Sequence, residues 1–241
     1  MSILIKWSKA LRDLFFRRED FIPKLEKYHI AKRFETKYIR YNARSNGFED
    51  IRKIFKYTND GIEITEFQKQ EMKEYFLKII RQKNWQDLEI DDKVLKIAEW
   101  LNNKIRYRTD ESVYGKLEFW SSPWDLFVQL RDKGYIEDDC NGYACLFVYV
   151  WGLIGVPACR RFVRAGDVYD LNGKYAGGHA SAVIWNERYN EMFPIEGSYY
   201  ASNVNSNYEK IPLRDNKLYG KTWFFTNEEK SYLGNKYWGG I

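Results

Sequence analysis

Histidine is nearly absent from this chain, with two among 241 residues, and cysteine is scarce, with three. Three thiols cannot all pair, and a chain of this length does not depend on a disulfide framework, so free thiols in a reducing compartment are expected. Long apolar runs are missing too. No stretch approaches the ~18 consecutive apolar residues of a membrane span. Ile3, Leu4 and Ile5 are too few for the core of a signal peptide. The expectation is therefore a soluble, cytoplasmic protein without stable membrane insertion. Blocks of one charge are also lacking: 39 basic and 34 acidic residues give a net +5 spread along the whole chain, so no nucleic-acid partner is expected. Internal repeats and low-complexity segments are not visible.

What is abundant is aromatic surface. Nine Trp and 19 Tyr raise the aromatic share to 18%, which together with 44% hydrophobic residues excludes a disordered chain. The length suits one large domain, or a core with a helical extension. Richness in Lys, Asn, Ile and Tyr hints at an AT-rich bacterial or phage genome.

Residues 1–90 read as a mainly helical N-terminal extension and 91–241 as the core. Near the start, Leu11, Leu14 and Phe15 fall roughly at helical spacing beside Arg12, Arg17 and Arg18; the run is short, which favours packing on protein over lying on a membrane. Thr65 followed by Gln68 has the form of a capping box, and Phe67, Met72, Phe76 and Ile79 supply the stripe of the helix it opens. Asp91 or Asp92 is expected to cap a second helix carrying Val94, Ile97, Ala98, Leu101 and Ile105. A third runs from Pro123 to a stop at Gly134. The remainder is strand-like and turn-rich, so the order is helices first and strands last, an α+β pattern.

The chemistry concentrates after Gly134. In Glu137-Asp138-Asp139-Cys140-Asn141-Gly142-Tyr143-Ala144, acidic residues precede an apolar run from Cys145 to Ile154 that stops at Gly155-Val156-Pro157. This places Cys140 in the first turn of a buried helix, where the helix dipole favours thiolate and the free amides could bind an oxyanion. Cys145 lies inside the apolar run and Cys159 in the strand-like Pro157–Val163 segment, so both read as small buried hydrophobes. Of the two histidines, His29 sits among charges, whereas His179 follows Gly177-Gly178 and opens the strand-like run Ala180–Trp185, a useful place for a base. A second strand-like run, Glu191–Glu196, follows a polar turn. A hairpin centred between Glu187 and Arg188 sets Glu196 opposite His179, where its carboxylate can orient the imidazole. Glu191, Glu187 and Asp167 are the alternatives should the register slip. Cys140, Cys145, Cys159 and His179 offer zinc-binding atoms without the paired spacing of a zinc site, so no metal or cofactor is expected.

In this order, Val94–Leu101 with Ile105-Arg106-Tyr107, Trp120–Leu126, Asp138–Ala144, Gly155–Ala158, Gly178-His179-Ala180 and Phe193–Glu196 resemble the transglutaminase-like superfamily, including its bacterial cysteine-peptidase branch. The resemblance covers roughly residues 92 to 200. It implies a papain-like α+β core in which the nucleophile's helix packs on an antiparallel sheet, with Cys140 as nucleophile, His179 as base and Glu196 where the family usually has Asp. Asp138 stands where the family commonly has Gly, which adds a negative charge beside the thiol. Trp120 or Trp124 is a candidate indole donor to the oxyanion. The activity implied is hydrolysis of an amide or peptide bond through an acyl-enzyme, on a peptide or protein substrate. Acyl transfer from glutamine to an amine needs the same three residues. The rival from another class is a non-catalytic binding or assembly protein that keeps the fold and uses its exposed Tyr and Trp.

Overall fold

The computed structural model describes residues 50–197 and 211–233. The N-terminal amphipathic segment around Leu11–Arg18 and His29 lie outside these residues. A short 3-10 turn, Ile51–Phe55, leads to helices α1 (Glu66–Gln82) and α2 (Ile90–Asn102), strand β1 (Ile105–Tyr107), and helices α3 (Asp110–Tyr114) and α4 (Pro123–Lys133). Strand β2 (Ile136–Asp138) and helix α5 (Cys140–Leu153) follow. Then come β3 (Arg161–Tyr169), β4 (Tyr175–Asn186), β5 (Glu191–Ile195), β6 (Tyr219–Thr226) and β7 (Ser231–Leu233). The architecture is α+β.

Local chemistry explains the boundaries. Thr65 and Gln68 form the reciprocal capping box expected at the start of α1. Ser122 caps α4 ahead of Pro123, and Gly134 closes it with φ 78°, a left-handed conformation that favours glycine. Three boundaries differ from expectation, one being the end of α2 at Asn102, which leaves Ile105 to β1. Helix α2 starts after Glu89, which makes no side-chain cap, and Asp91 and Asp92 lie inside its first turn. Asp91 instead pairs with Arg160. The Ala158–Arg160 part of the segment read as strand forms a 3-10 turn, so Cys159 precedes β3.

The five-stranded antiparallel sheet has the order β5-β4-β3-β6-β7, and β1 and β2 form a separate parallel pair. Alternation along the strands gives the sheet two apolar faces. Val163, Ala165, Ala180, Ala182, Ile184, Ile195 and Phe224 share a cluster with α5, whose run from Tyr143 to Trp151 is buried on all sides. Ile51, Phe55, Met72, Phe76 and Ile80 belong to the same cluster. The other face carries Phe162, Val183, Trp185, Met192, Leu218 and Tyr219. Helix α5 is thereby pinned to the sheet with its N-terminus beside the start of β4. Among the described residues, no helix is long and apolar enough to cross a membrane.

Candidate active site

Helix α5 opens with Cys140 because Asp139, in an extended conformation, accepts the Asn141 N–H at 3.0 Å as the N-cap. The Cys140 amide, at the first helical position, has no intrahelical acceptor and is available to an oxyanion. Across from it, the backbone N–H of Ala180 on β4 donates to Cys140 Sγ at 3.5 Å. That bond brings the nucleophile candidate to the residue next to His179. His179 and Glu196 are both buried, and His179 Nε2 lies 2.8 Å from Glu196 Oε2. With Nε2 facing a carboxylate, the proton belongs on Nε2, and Nδ1 is left with its lone pair.

The contact arises from a different hairpin register than the sequence suggested. β4 and β5 pair Ala182 with Ile195 and Asn186 with Glu191, so the hairpin is centred between Arg188 and Tyr189. One step beyond the last pair, Glu196 comes opposite Ser181, and it meets His179 along the diagonal rather than directly. A displacement of two residues keeps every side chain on its face, and the longer glutamate arm spans the diagonal. The alternative acids are engaged elsewhere: Glu191 pairs with Arg214, Glu187 lies 3.5 Å from Arg160, and Asp167 accepts the Trp223 indole N–H.

Of the indoles named as candidate oxyanion donors, Trp120 gives its N–H to Glu118 at 3.0 Å, and Trp124 packs against Phe127. Cys145 is buried inside α5, as expected for an inert thiol.

Two parts of the site gave no signal in the sequence, and a third, the acids before Cys140, gave none of its meeting with Asp110. Tyr219, at the start of β6, donates its hydroxyl to Glu196 Oε1, so both carboxylate oxygens are held. Asn102 on α2 donates to the Glu196 carbonyl at 2.9 Å. Asp110, Asp138 and Asp139 bring carboxylate oxygens within 4.8 Å of one another beside the α5 N-terminus. Asp110 Oδ1 and Asn141 Oδ1 have no partner among the described residues. Such an oxygen-rich group could hold a hard cation or shared protons.

The electrostatics follow from burial. It pushes Asp138 up to about 6, Asp110 to about 7 and Asp139 to about 9, with mutual repulsion adding to the last two. Burial also pushes the Cys140 thiol well up, although its side chain keeps some exposure, and the Asp139 carboxylate adds to this; the Ala180 N–H works the other way. For Glu196, burial opposes ionisation, but His179, Tyr219 and Arg164 together outweigh it and hold its carboxyl below the ordinary range.

Taken together, a partly exposed thiol at a helix N-terminus contacts the residue next to the histidine of a buried His–Glu pair. No family profile and no curated protein matches the chain. Among solved structures, LapG of Legionella pneumophila is similar at a TM-score of 0.44 and 12% identity, over 68% of this chain and 87% of that one. Its calcium-bound form gives 0.45 and 16% over 73% and 91%, and its EGTA-treated form 0.42 and 14% over 68% and 84%. The similarity is one of broad arrangement.

Proposed function

We propose that the chain is a cysteine hydrolase of the transglutaminase-like kind, acting on amide or peptide bonds of a peptide or protein through Cys140, His179 and Glu196. The observation that carries the reading is the buried His179–Glu196 pair joined to Cys140 Sγ through the adjoining Ala180 amide. In the first half-reaction His179 Nδ1 takes the Cys140 proton as sulfur attacks the carbonyl carbon. The developing oxyanion is met by amides at the start of α5. The C–N bond then breaks, and the proton on His179 passes to the leaving amine. In the second half-reaction His179 deprotonates water, which attacks the thioester, releases the acid and restores the thiol. Glu196 keeps the imidazole in the tautomer that can accept the first proton, and stabilises the imidazolium between transfers.

The test uses p-nitrophenyl acetate and iodoacetamide, with products located by mass spectrometry. The reading expects one acetyl group per chain, on Cys140, and alkylation of Cys140 that slows at least about tenfold at neutral pH in His179→Ala. Labelling of Cys140 that is the same with and without His179, and no acyl-enzyme, would overturn it and leave a binding protein with an ordinary thiol.

A further inference from the structure

We infer that Tyr219 is a positioning residue of this site: braced on Arg164, its hydroxyl fixes the Glu196 carboxylate, and through it the imidazole tautomer of His179. The inference rests on reading His179 as the base. Glu196 lies one residue past the end of β5, and Asn102 secures its backbone carbonyl. The side chain, however, has one more rotatable bond than aspartate. A single contact to the imidazole leaves that carboxylate free to turn, at an entropic cost each time it must be in place. The Tyr219 hydroxyl on Oε1 removes this freedom and leaves Oε2 for His179 Nε2.

Tyr219 is itself held on both sides. It pairs with Val168 of β3 at the start of β6, and the Arg164 guanidinium lies 5.0 Å from its ring centroid. Arg164 is fully buried. Its Nε donates to Thr222 Oγ1 at 2.9 Å, and Nη2 donates to the carbonyls of Gly220 at 2.9 Å and Asp167 at 3.1 Å. No carboxylate lies within hydrogen-bonding distance of it among those contacts, and Nη1 has no partner among the described residues. A buried cation held only by neutral oxygens is expensive unless a negative charge is near. Glu196, at the hydroxyl end of the Tyr219 ring, supplies that charge together with Asp167, so Arg164 favours the ionised carboxylate that orients His179. Gly166 makes room for this guanidinium, since a Cβ there would come within 2.7 Å of Arg164 Nη2. The charged and titratable groups that act on Glu196 include His179, Tyr219 and Arg164, Asp167 acts on Arg164, and Asp139, Glu196 and Glu118 act on Cys140.

The experiment is 15N NMR of the full chain labelled at histidine, at a pH where the imidazoles are neutral. Only two histidines are present, and His29→Gln assigns them. In the wild-type chain the His179 signals are expected to show hydrogen on Nε2 and a lone pair on Nδ1. Tyr219→Phe keeps the ring but removes the hydroxyl; the opposite tautomer is then expected to rise about tenfold, the weight of one hydrogen bond to a charged group. Glu196→Gln should shift the balance further. Adding Tyr219→Phe to it should change nothing more, because the tyrosine acts through that carboxylate. Thr222→Val, which loosens Arg164, is expected to move the tautomer the same way by less, and serves should Tyr219→Phe not fold. A tautomer unchanged in Tyr219→Phe, or a further shift in the double variant, overturns the inference. The tautomer is read whether or not Cys140 forms an acyl-enzyme, so failure here is distinct from failure of the proposed hydrolase.

Discussion

Asp139 should make the folded chain less stable as the medium becomes alkaline, opposite to what most acidic side chains do. Its carboxyl is pushed up to about 9 by burial and by Asp110 and Asp138, against about 3.9 in an unfolded chain. Between those values the folded state holds a proton that the unfolded state has released. Unfolding free energy therefore falls with rising pH, and the loss is complete once pH passes the folded value. From about pH 5 to 8 that is about three units at 1.36 kcal/mol each, or about 4 kcal/mol. Asp138 and Asp110 act in the same direction over narrower windows that end near 6 and 7. Mutual repulsion enters the values of Asp110 and Asp139, so the contributions of the trio do not simply add. Asp139→Asn keeps an acceptor for the Asn141 N–H at the N-cap and removes one of the charges. It should raise stability at pH 8 by about 2 kcal/mol or more, and flatten the decline. Urea unfolding of both chains at about pH 5, 6.5 and 8, with EDTA present so that no divalent cation replaces the protons, checks this. Stability that rises from about pH 5 to 8, or an Asp139→Asn chain that is weaker at pH 8, would refute the reasoning.

Glu196→Gln should slow acylation of Cys140 by roughly 10²–10⁴-fold, because an amide can donate to His179 Nε2 and stabilise the tautomer that cannot accept the thiol proton; burst kinetics read the change. The same variant should lose the acid sensitivity that Glu196 gives the wild-type chain. With its folded pKa held down, the stability from Glu196 is present above its ordinary value and lost as pH falls through the depressed one, which acid titration of circular dichroism follows. Cys145 should resist iodoacetamide in the native chain and react only on unfolding, as peptide mapping after labelling would show. Gly178→Ala should displace the exposed Trp223 indole, since a Cβ at 178 would come 2.4 Å from its Cη2; a shift in tryptophan emission with little loss of stability in urea unfolding is expected.

The parts of the fold legible in the sequence were those fixed by contacts a few residues apart. Thr65 with Gln68, Pro123 with Gly134, and Asp139 with the apolar run after Cys140 each define a helix end through local hydrogen bonds or a special backbone angle. Asp91 and Asp92 misled for the same reason, since an acid in the first turn looks like a cap whether or not it caps; Asp91 is drawn to Arg160, far along the chain. The β4–β5 register is set in the turn, where Asn190 takes φ 53° and moves the hairpin centre by one residue. Alternation still kept Glu196 on the face of His179, because the error was even. Tyr219 had no such protection. It is one of 19 tyrosines, and its meeting with Glu196 depends on β6 crossing to the far side of β3, which no local spacing encodes.

The position of Cys140 also decides how its proton is handled. A helix N-terminus favours thiolate by about 0.3–1 kcal/mol, and up to ~2 when partly buried. Burial and the Asp139 carboxylate work against it and prevail, since the thiol is pushed well above its ordinary range. The thiol is thus favoured over the thiolate at rest. Asp139, itself pushed up to about 9, is protonated at neutral pH and withholds its charge from the thiol there. Under the proposed mechanism the charge on sulfur then appears only as it attacks. Under the same mechanism the Glu196–Tyr219–Arg164 group matters most while the proton is on His179, because the imidazolium is what it stabilises.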